Sequence, residues 1–346
     1  MPTLKALLVN DASLLGHHGS ALVSRQACRL AAEAGIRIHR GLDWTAAERM
    51  LAGPNEYDLV IVNGEGSVHH DSATARRIAR MACDLSDRGV PAFMINASVE
   101  ANSDEVHSGL ARFRKIYVRD VRSQKTLAAA GIPSTVVHDL TLTWSDAPKA
   151  EPSPSREVLV TDASDTEKAL LLYRFSERTG CRAMTLRTAP PAGLRRWRRR
   201  AGFELKRLAG ALLPGSPWTL RYAGATRNFD EFARQLATSP GIICGRFHAV
   251  CLAIRMGIPF LAVAAPTSKI EDLLSEIGMS HRMVDIESLC ESACVPEIPP
   301  IDGRERQSIN TFLLETKGKA RQMFDDIAAD VLMASLRSGD GSRETS

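Results

Sequence analysis

No run of the chain approaches the ~18 uninterrupted apolar residues that a membrane-crossing helix needs, so no bilayer-spanning segment is expected. Cysteine is sparse and poorly arranged for ligation. The seven residues, Cys28, Cys83, Cys181, Cys244, Cys251, Cys290 and Cys294, are odd in number and contain no C-x-x-C pair. That spacing argues against a zinc ribbon or a disulfide framework and fits buried thiols in a reducing compartment. Aromatic residues are few, and the net charge is only +4, too small a surplus to point to nucleic acid. The opening MPTLKALLVNDAS goes straight into a strand-like run without the features of a signal peptide, so a cytoplasmic location is expected.

What is present is ordinary globular composition, 44% hydrophobic and 24% charged, over 346 residues, a length that suggests two domains. Leu4–Asn10, Tyr57–Asn63, Pro91–Asn96, Lys115–Arg119 and Ser134–Asp139 read as strands. Ser20–Ala34, Ala75–Arg88 and Ser123–Ala130 read as helices between them. Short apolar runs alternating with helices imply a parallel sheet covered on both faces. The polar, Pro-rich stretch Asp146–Arg156 marks a linker.

The rhythm then resumes, with strands expected at Glu157–Thr161, Cys181–Leu186, Gly241–Cys244 and Pro259–Ala264. Helices are expected at Thr166–Thr179, Asn228–Thr238, Phe247–Met256, Lys269–Ile277 and Arg304–Met333. The reading is α/β, with two Rossmann-like doubly wound domains facing a cleft. The domains cover residues 1–148 and 156–300, followed by a C-terminal helix over 301–335 and a tail over 336–346. Ligands of such sheets bind beyond the carboxyl ends of the strands, and the polar motifs gather there.

Arg246 and His248 follow the apolar strand Gly241–Cys244 and open the next helix. A guanidinium and an imidazole beside a helix N-terminus suit a phosphate or carboxylate, and His248 can carry a proton near neutral pH. Arg119 ends another strand, with Asp120 and Ser123 behind it, and two such arginines could clamp one anion. Lys269, at a helix start, is a further phosphate candidate. In VNGEGSVHHD the loop glycines allow close backbone approach, and Glu65 is a candidate base for a hydroxyl. The pattern is not G-x-G-x-x-G, and adjacent histidines are poor joint metal ligands. Asn10, Asp11, His18, Asn63, His69 and Asn96 join Glu65 as candidate polar contacts. Leu194–Leu213 has one apolar face with Trp197 and a dense basic remainder, the pattern of a helix lying on an anionic membrane surface.

Arg119 with Asp120 and Ser123, then Gly245–Arg246–Phe247–His248–Ala249 and the GIPFLA stretch, resemble in order the polysaccharide pyruvyl transferase family. The resemblance implies a glycosyltransferase B-like fold and an enzyme that forms a pyruvate ketal on a cell-envelope sugar or lipid-linked glycan. It implies phosphoenolpyruvate as co-substrate, with no metal or redox cofactor. Arg119, Ser123, Arg246, His248 and Lys269 would then meet the donor, with His248, Arg119 and Arg246 in the chemistry. Asn10, Asp11, His18, Asn63, Glu65, His69 and Asn96 would face the acceptor. A peripheral position on the inner face of the plasma membrane would follow from Leu194–Leu213, with no nucleic-acid partner. The nearest rival readings are a nucleotide-sugar glycosyltransferase of the same architecture and a non-catalytic glycan- or membrane-binding member. Departures from the family lie in NGEG and in the first loop, NDAS…HHG.

Overall fold

The computed structural model describes residues 3–11, 13, 16–40, 44–53, 56–150, 157–189, 223–265 and 267–340. The expected basic helix Leu194–Leu213 lies outside them. The chain divides into two compact units. The first takes Met1–Leu14, Val23–Thr143 and Glu315–Ser346; the second takes Leu15–Leu22 and Trp144–Leu314. A linear division at the linker does not carry two of these assignments, the segment around His18 and the far half of the last helix.

The first unit is built on β1 (Leu4–Val9), β2 (Ile36–Arg40), β3 (Leu59–Asn63), β5 (Ala92–Ala97), β7 (Lys115–Val118) and β8 (Thr135–Val136). These form a parallel sheet in the order β2-β1-β3-β5-β7-β8. Two short strands, β4 (Val68–His69) and β6 (Val99–Glu100), pair separately. Every residue of LVIVN in β3 is buried, because helices cover both faces of the sheet. Alternate side chains serve two cores. Leu7, Val9, Val60, Val62 and Met94 meet α3 (Ala73–Asp87) and α4 (Asp104–Leu110) through Ile78, Ala82, Val106 and Leu110. Leu8, Ile61, Phe93 and Ile95 meet Val23, Ala27 and Leu30 of α1 (His18–Glu33). The period-2 alternation of strands decides which core each residue joins. The last helix, Gly303–Asp340, supplies Ala320, Met323, Phe324, Ile327 and Val331 to the second core, at the three-and-four spacing of one helical face. Fully burying a side chain such as Phe324 contributes about 1.5–3 kcal/mol.

The second unit repeats the architecture. Its strands are β9 (Leu159–Thr161), β10 (Arg182–Met184), β11 (Ile242–Cys244), β12 (Phe260–Val263) and β13 (Met283–Val284). They are parallel, in the order β10-β9-β11-β12-β13. Asp165 caps α6 (Thr166–Thr179) by accepting from the Lys168 amide, and Gly180, at φ 74°, ends it in the left-handed conformation. Helix α7 spans Phe229–Ala237, α8 spans Phe247–Met256 and α9 spans Lys269–Glu276.

The expectation of parallel α/β units holds, and most elements fall where the pattern put them. Three edge features escaped it. In β2, IRIHR alternates apolar with polar residues at the sheet edge and is weaker as a strand signal. The two-residue β13 is too short to show a period. The strand expected at Ser134–Asp139 narrows to Thr135–Val136, and the chain then turns into a short 3₁₀ segment, Leu140–Thr143.

Candidate functional site

In each unit the strand order reverses beside the first strand, between β1 and β3 in one and between β9 and β11 in the other. Such reversals open a crevice at the carboxyl ends of the strands. The two crevices carry opposite chemistry.

In the second unit, Asp162 follows β9 and Arg246 follows β11, and Arg246 Nη2 donates to Asp162 Oδ2 at 2.5 Å. Asp162 also accepts from Thr185 Oγ1 at 3.0 Å and from the Leu186 amide at 3.2 Å. The carboxylate is thereby well occupied, while Arg246 Nε is buried with no hydrogen-bond partner among the described residues. Gly245 is required at this crossing, since a Cβ there would lie 2.6 Å from Leu172 Cδ1 and 2.8 Å from the Asp162 carbonyl oxygen. Arg246 is also the N-cap residue of α8 and makes no side-chain cap bond, so the positive end of that helix opens at the same edge.

His248, in the first turn of α8, is buried against the segment around His17. That segment is bound to the sheet edge at several points. Thr188 donates its amide to the Gly16 carbonyl at 2.9 Å, the His18 amide donates to Leu186 at 2.8 Å, and His17 bridges Arg187 antiparallel. The His17 and His248 rings lie 5.5 Å apart between centroids. Burial, then repulsion from the neighbouring His248, Arg246, Arg187 and His18, holds the His17 imidazole well below its ordinary range and therefore neutral. Arg246, paired with Asp162, thus stands close to His17, as do His248 and Arg187. That arrangement can receive an anion and deliver a proton to it.

His18 has a different task from the one expected. It is fully buried, stacked on Phe232 at 4.4 Å, and its Nε2 meets Thr226 Oγ1 at 2.7 Å. Burial lowers its pKa to about 4. It is a packed, neutral core histidine of the second unit, and its ring is not offered to an acceptor. Lys269 is half-buried at the first position of α9, beyond the end of β12.

The expected donor ligands Arg119 and Ser123 lie in the first unit, each already engaged. Arg119 is buried, donates to Ser98 Oγ at 2.7 Å, and pairs with Asp139 at 3.0 Å. Ser98 in turn donates to Asp120 Oδ2 at 3.0 Å. Ser123 Oγ accepts from the Val99 amide, and Asp120 caps α5 (Val121–Ala129). With its Nε spent on Ser98 and its Nη1 on Asp139, Arg119 reads together with Ser123 as a framework joining β7, β6 and α5.

The carboxyl edge of the first unit carries an asparagine on each of three adjacent strands: Asn10 after β1, Asn63 ending β3, and Asn96 in β5. Asn10 Nδ2 donates to the Asn63 carbonyl at 2.7 Å and to Ser67 Oγ at 2.9 Å, so Asn10 braces the loop. Asn63 Oδ1 accepts from the Glu65 amide and Asn96 Oδ1 from the Leu140 amide, each at 3.2 Å. Both Asn63 Nδ2 and Asn96 Nδ2 are buried donors without a partner among the described residues. Asn10 and Asn96 hold φ of 57° and 54°, a region uncommon outside glycine and concentrated at functional positions. Asp11 is buried and accepts from Ser24 Oγ at 2.6 Å, which makes it a brace as well. Glu65 is half-buried, and His69 Nε2 lies 3.2 Å from the Gly66 carbonyl oxygen. Among the described residues no three His, Cys, Asp or Glu side chains converge as a metal-ligand set.

Asp162 and Arg187 escaped the sequence reading, although Asp162 directly follows the buried strand LVT just as Arg246 closely follows IIC. The strand-end rule applied to Arg246 would have found it. Arg187 lacks even that signal, because its strand stops at Met184.

A family model for polysaccharide pyruvyl transferases matches residues 18–265. No curated protein sequence matches the chain. Similar solved structures include the UDP-GlcNAc 2-epimerase of Neisseria meningitidis bound to UDP-GlcNAc, 12% identical with TM-score 0.48, covering 97% of this chain and 100% of that one. The UDP-GlcNAc 2-epimerase of Methanocaldococcus jannaschii is 10% identical with TM-score 0.47, covering 90% and 99%. A UDP-glucosyltransferase from Polygonum tinctorium is 9% identical with TM-score 0.46, covering 95% and 99%.

Proposed function

The chain belongs to the polysaccharide pyruvyl transferase family, and from that premise we propose that it transfers the pyruvyl group of phosphoenolpyruvate to a sugar as a cyclic ketal. The observation that carries the donor side is the start of α8 in the second unit, where Arg246 pairs with Asp162 yet keeps a buried Nε without a partner among the described residues, with His248 two residues further on. Arg246 would hold the carboxylate or phosphate of the donor, and the unsatisfied Nε adds a reason to seek an oxygen there.

In this reading His248 gives a proton to the methylene carbon, which becomes a methyl group. The adjacent carbon gains cationic character and is attacked by one sugar hydroxyl. Phosphate leaves with its bonding pair, and a second hydroxyl closes the ketal. The two hydroxyl protons balance the one placed on the methyl group and the one carried away by phosphate. The scheme calls for no metal or redox cofactor. Arg246 would offset the charge that accumulates on phosphate as it departs.

The acceptor side is assigned to the first unit. Two buried amide donors, on Asn63 and Asn96, seek oxygens. The carboxylates that follow this unit's parallel strands, Asp11, Glu65, Asp120 and Asp139, with Arg119 already paired to Asp139, favour a neutral hydroxyl-rich ligand over an anion. Leu194–Leu213 extends the proposal to a lipid-linked acceptor at an anionic membrane surface. No helix among the described residues is long and apolar enough to cross a membrane.

Isothermal titration of phosphoenolpyruvate into wild type and Arg246→Ala tests the donor site. Binding by wild type with at least tenfold weakening in the variant is expected. Equal binding by both proteins would reject this assignment, and a response to nucleotide sugars alone would favour the glycosyltransferase reading. Neutralising Arg195–Arg200 should reduce sedimentation with anionic liposomes; unchanged sedimentation would remove the membrane element.

A further inference from the structure

His17 is the residue immediately before α1, and its backbone carbonyl accepts the first helical bond, from the Ala21 amide at 3.0 Å. Its side chain completes an N-cap: Nδ1 accepts from the Ser20 amide at 3.3 Å, with Ser20 Oγ at 3.4 Å. An imidazole in this position must leave Nδ1 unprotonated, because a proton there would face the amide hydrogen. The ring is therefore the neutral tautomer bearing its hydrogen on Nε2.

The helix turn that His17 caps carries Gly19, and Gly19 is the floor beneath His248. A Cβ at residue 19 would lie 2.4 Å from His248 Cγ, 2.6 Å from Cβ and 2.7 Å from Nδ1. No side chain can occupy that space while the His248 ring keeps its place. The cap, the glycine and the imidazole are thus packed together, and the neighbouring His18 ring stacks on Phe232.

We propose that His17 is a positioning residue for His248: by capping α1 through Nδ1 it holds Gly19 against the His248 ring and leaves His248 as the imidazole of the pair that carries the exchangeable proton. The inference rests on the reading of His248 as proton donor. The charged and titratable groups facing His17 are Arg246 and His248 from the β11–α8 junction, Arg187 after β10, and His18 on its own helix. Asp162 is paired with Arg246. All four named neighbours act against a charge on His17, in the same sense as the cap geometry.

The test is long-range ¹⁵N–¹H spectroscopy of the full-length, histidine-labelled protein, with His17→Asn and His248→Gln used to assign the signals. Between about pH 5.5 and 8, His17 should keep an acceptor-type Nδ1 and a protonated Nε2. His17→Asn, which retains a capping oxygen, should preserve the His248 ring signals and the turnover of phosphoenolpyruvate. His17→Ala should lower turnover about tenfold with little change in KM, the size of a lost cap felt at the reacting group. A protonated His17 Nδ1 in that range, or identical behaviour of the Asn and Ala variants, would overturn the proposal. If phosphoenolpyruvate neither binds nor reacts but the tautomer is as stated, the pyruvyl-transfer reading fails and the cap geometry stands. If phosphoenolpyruvate binds and His17 is charged, the positioning inference alone fails.

Discussion

Lowering the pH from about 7.5 to 5 should remove about 2 kcal/mol of folding stability through His18 alone. The side chain is fully buried between Phe232 and Thr226, and burial depresses its pKa to about 4. In the unfolded chain it titrates at about 6.5. The folded protein therefore binds fewer protons than the unfolded one, so this contribution is complete above about pH 6.5 and is lost as the pH falls towards 4. The full depression corresponds to an energy on the order of 3 kcal/mol, most of it gone by pH 5. Urea unfolding of wild type and His18→Gln at several pH values measures the effect as a difference in slope, since His17, also depressed, remains in both proteins. The variant should be less stable at neutral pH and flatter towards acid. Equal slopes, or an imidazole midpoint for His18 near its ordinary value, would refute the assignment of a buried neutral histidine.

Other perturbations separate framework from site. Glu305 accepts two hydrogen bonds from fully buried Arg282, at 2.7 and 2.6 Å, and this pairing lowers its pKa to about 2. Glu305→Ala would leave that guanidinium uncompensated and should cost about 3–5 kcal/mol in a denaturation experiment. Gly19→Ala should displace the His248 ring and destabilise the fold by about 1–3 kcal/mol; an unshifted His248 signal would contradict the packing described. Asn63→Asp keeps the oxygen that receives the Glu65 amide but removes the Nδ2 donor. It should retain a folded protein and lose most acceptor turnover, whereas loss of stability with intact turnover would identify Asn63 as a brace only.

Much of the architecture was legible because it is local. Runs such as LVIVN and FLAV are apolar throughout because both faces of a parallel sheet are covered. Gly180 and Gly257 end their helices with φ of 74° and 71°, which glycine adopts without strain. The strand-end position of Arg246 and His248 was visible for the same reason, as was the gathering of Asn10, Asn63 and Asn96 at one sheet edge. The short edge strands β2 and β13 were not, because a half-covered or two-residue strand leaves no clear period.

The sequence by itself determined the alternation of strand and helix, the parallel sheets that follow from it, and the residues that must stand at strand ends, since each depends on a period of two or 3.6 residues. Only the tertiary structure decided what those residues do. Arg119 and Arg246 look alike at the ends of their strands and each pairs with a carboxylate, yet the Arg119 Nε is spent on Ser98 while the Arg246 Nε is buried without a partner among the described residues. Likewise, His17 and His18 stand among residues near β1 but join the second unit through Leu186, Arg187 and Thr226. Those partners lie far along the chain, and no local pattern encodes a hydrogen bond across such a separation.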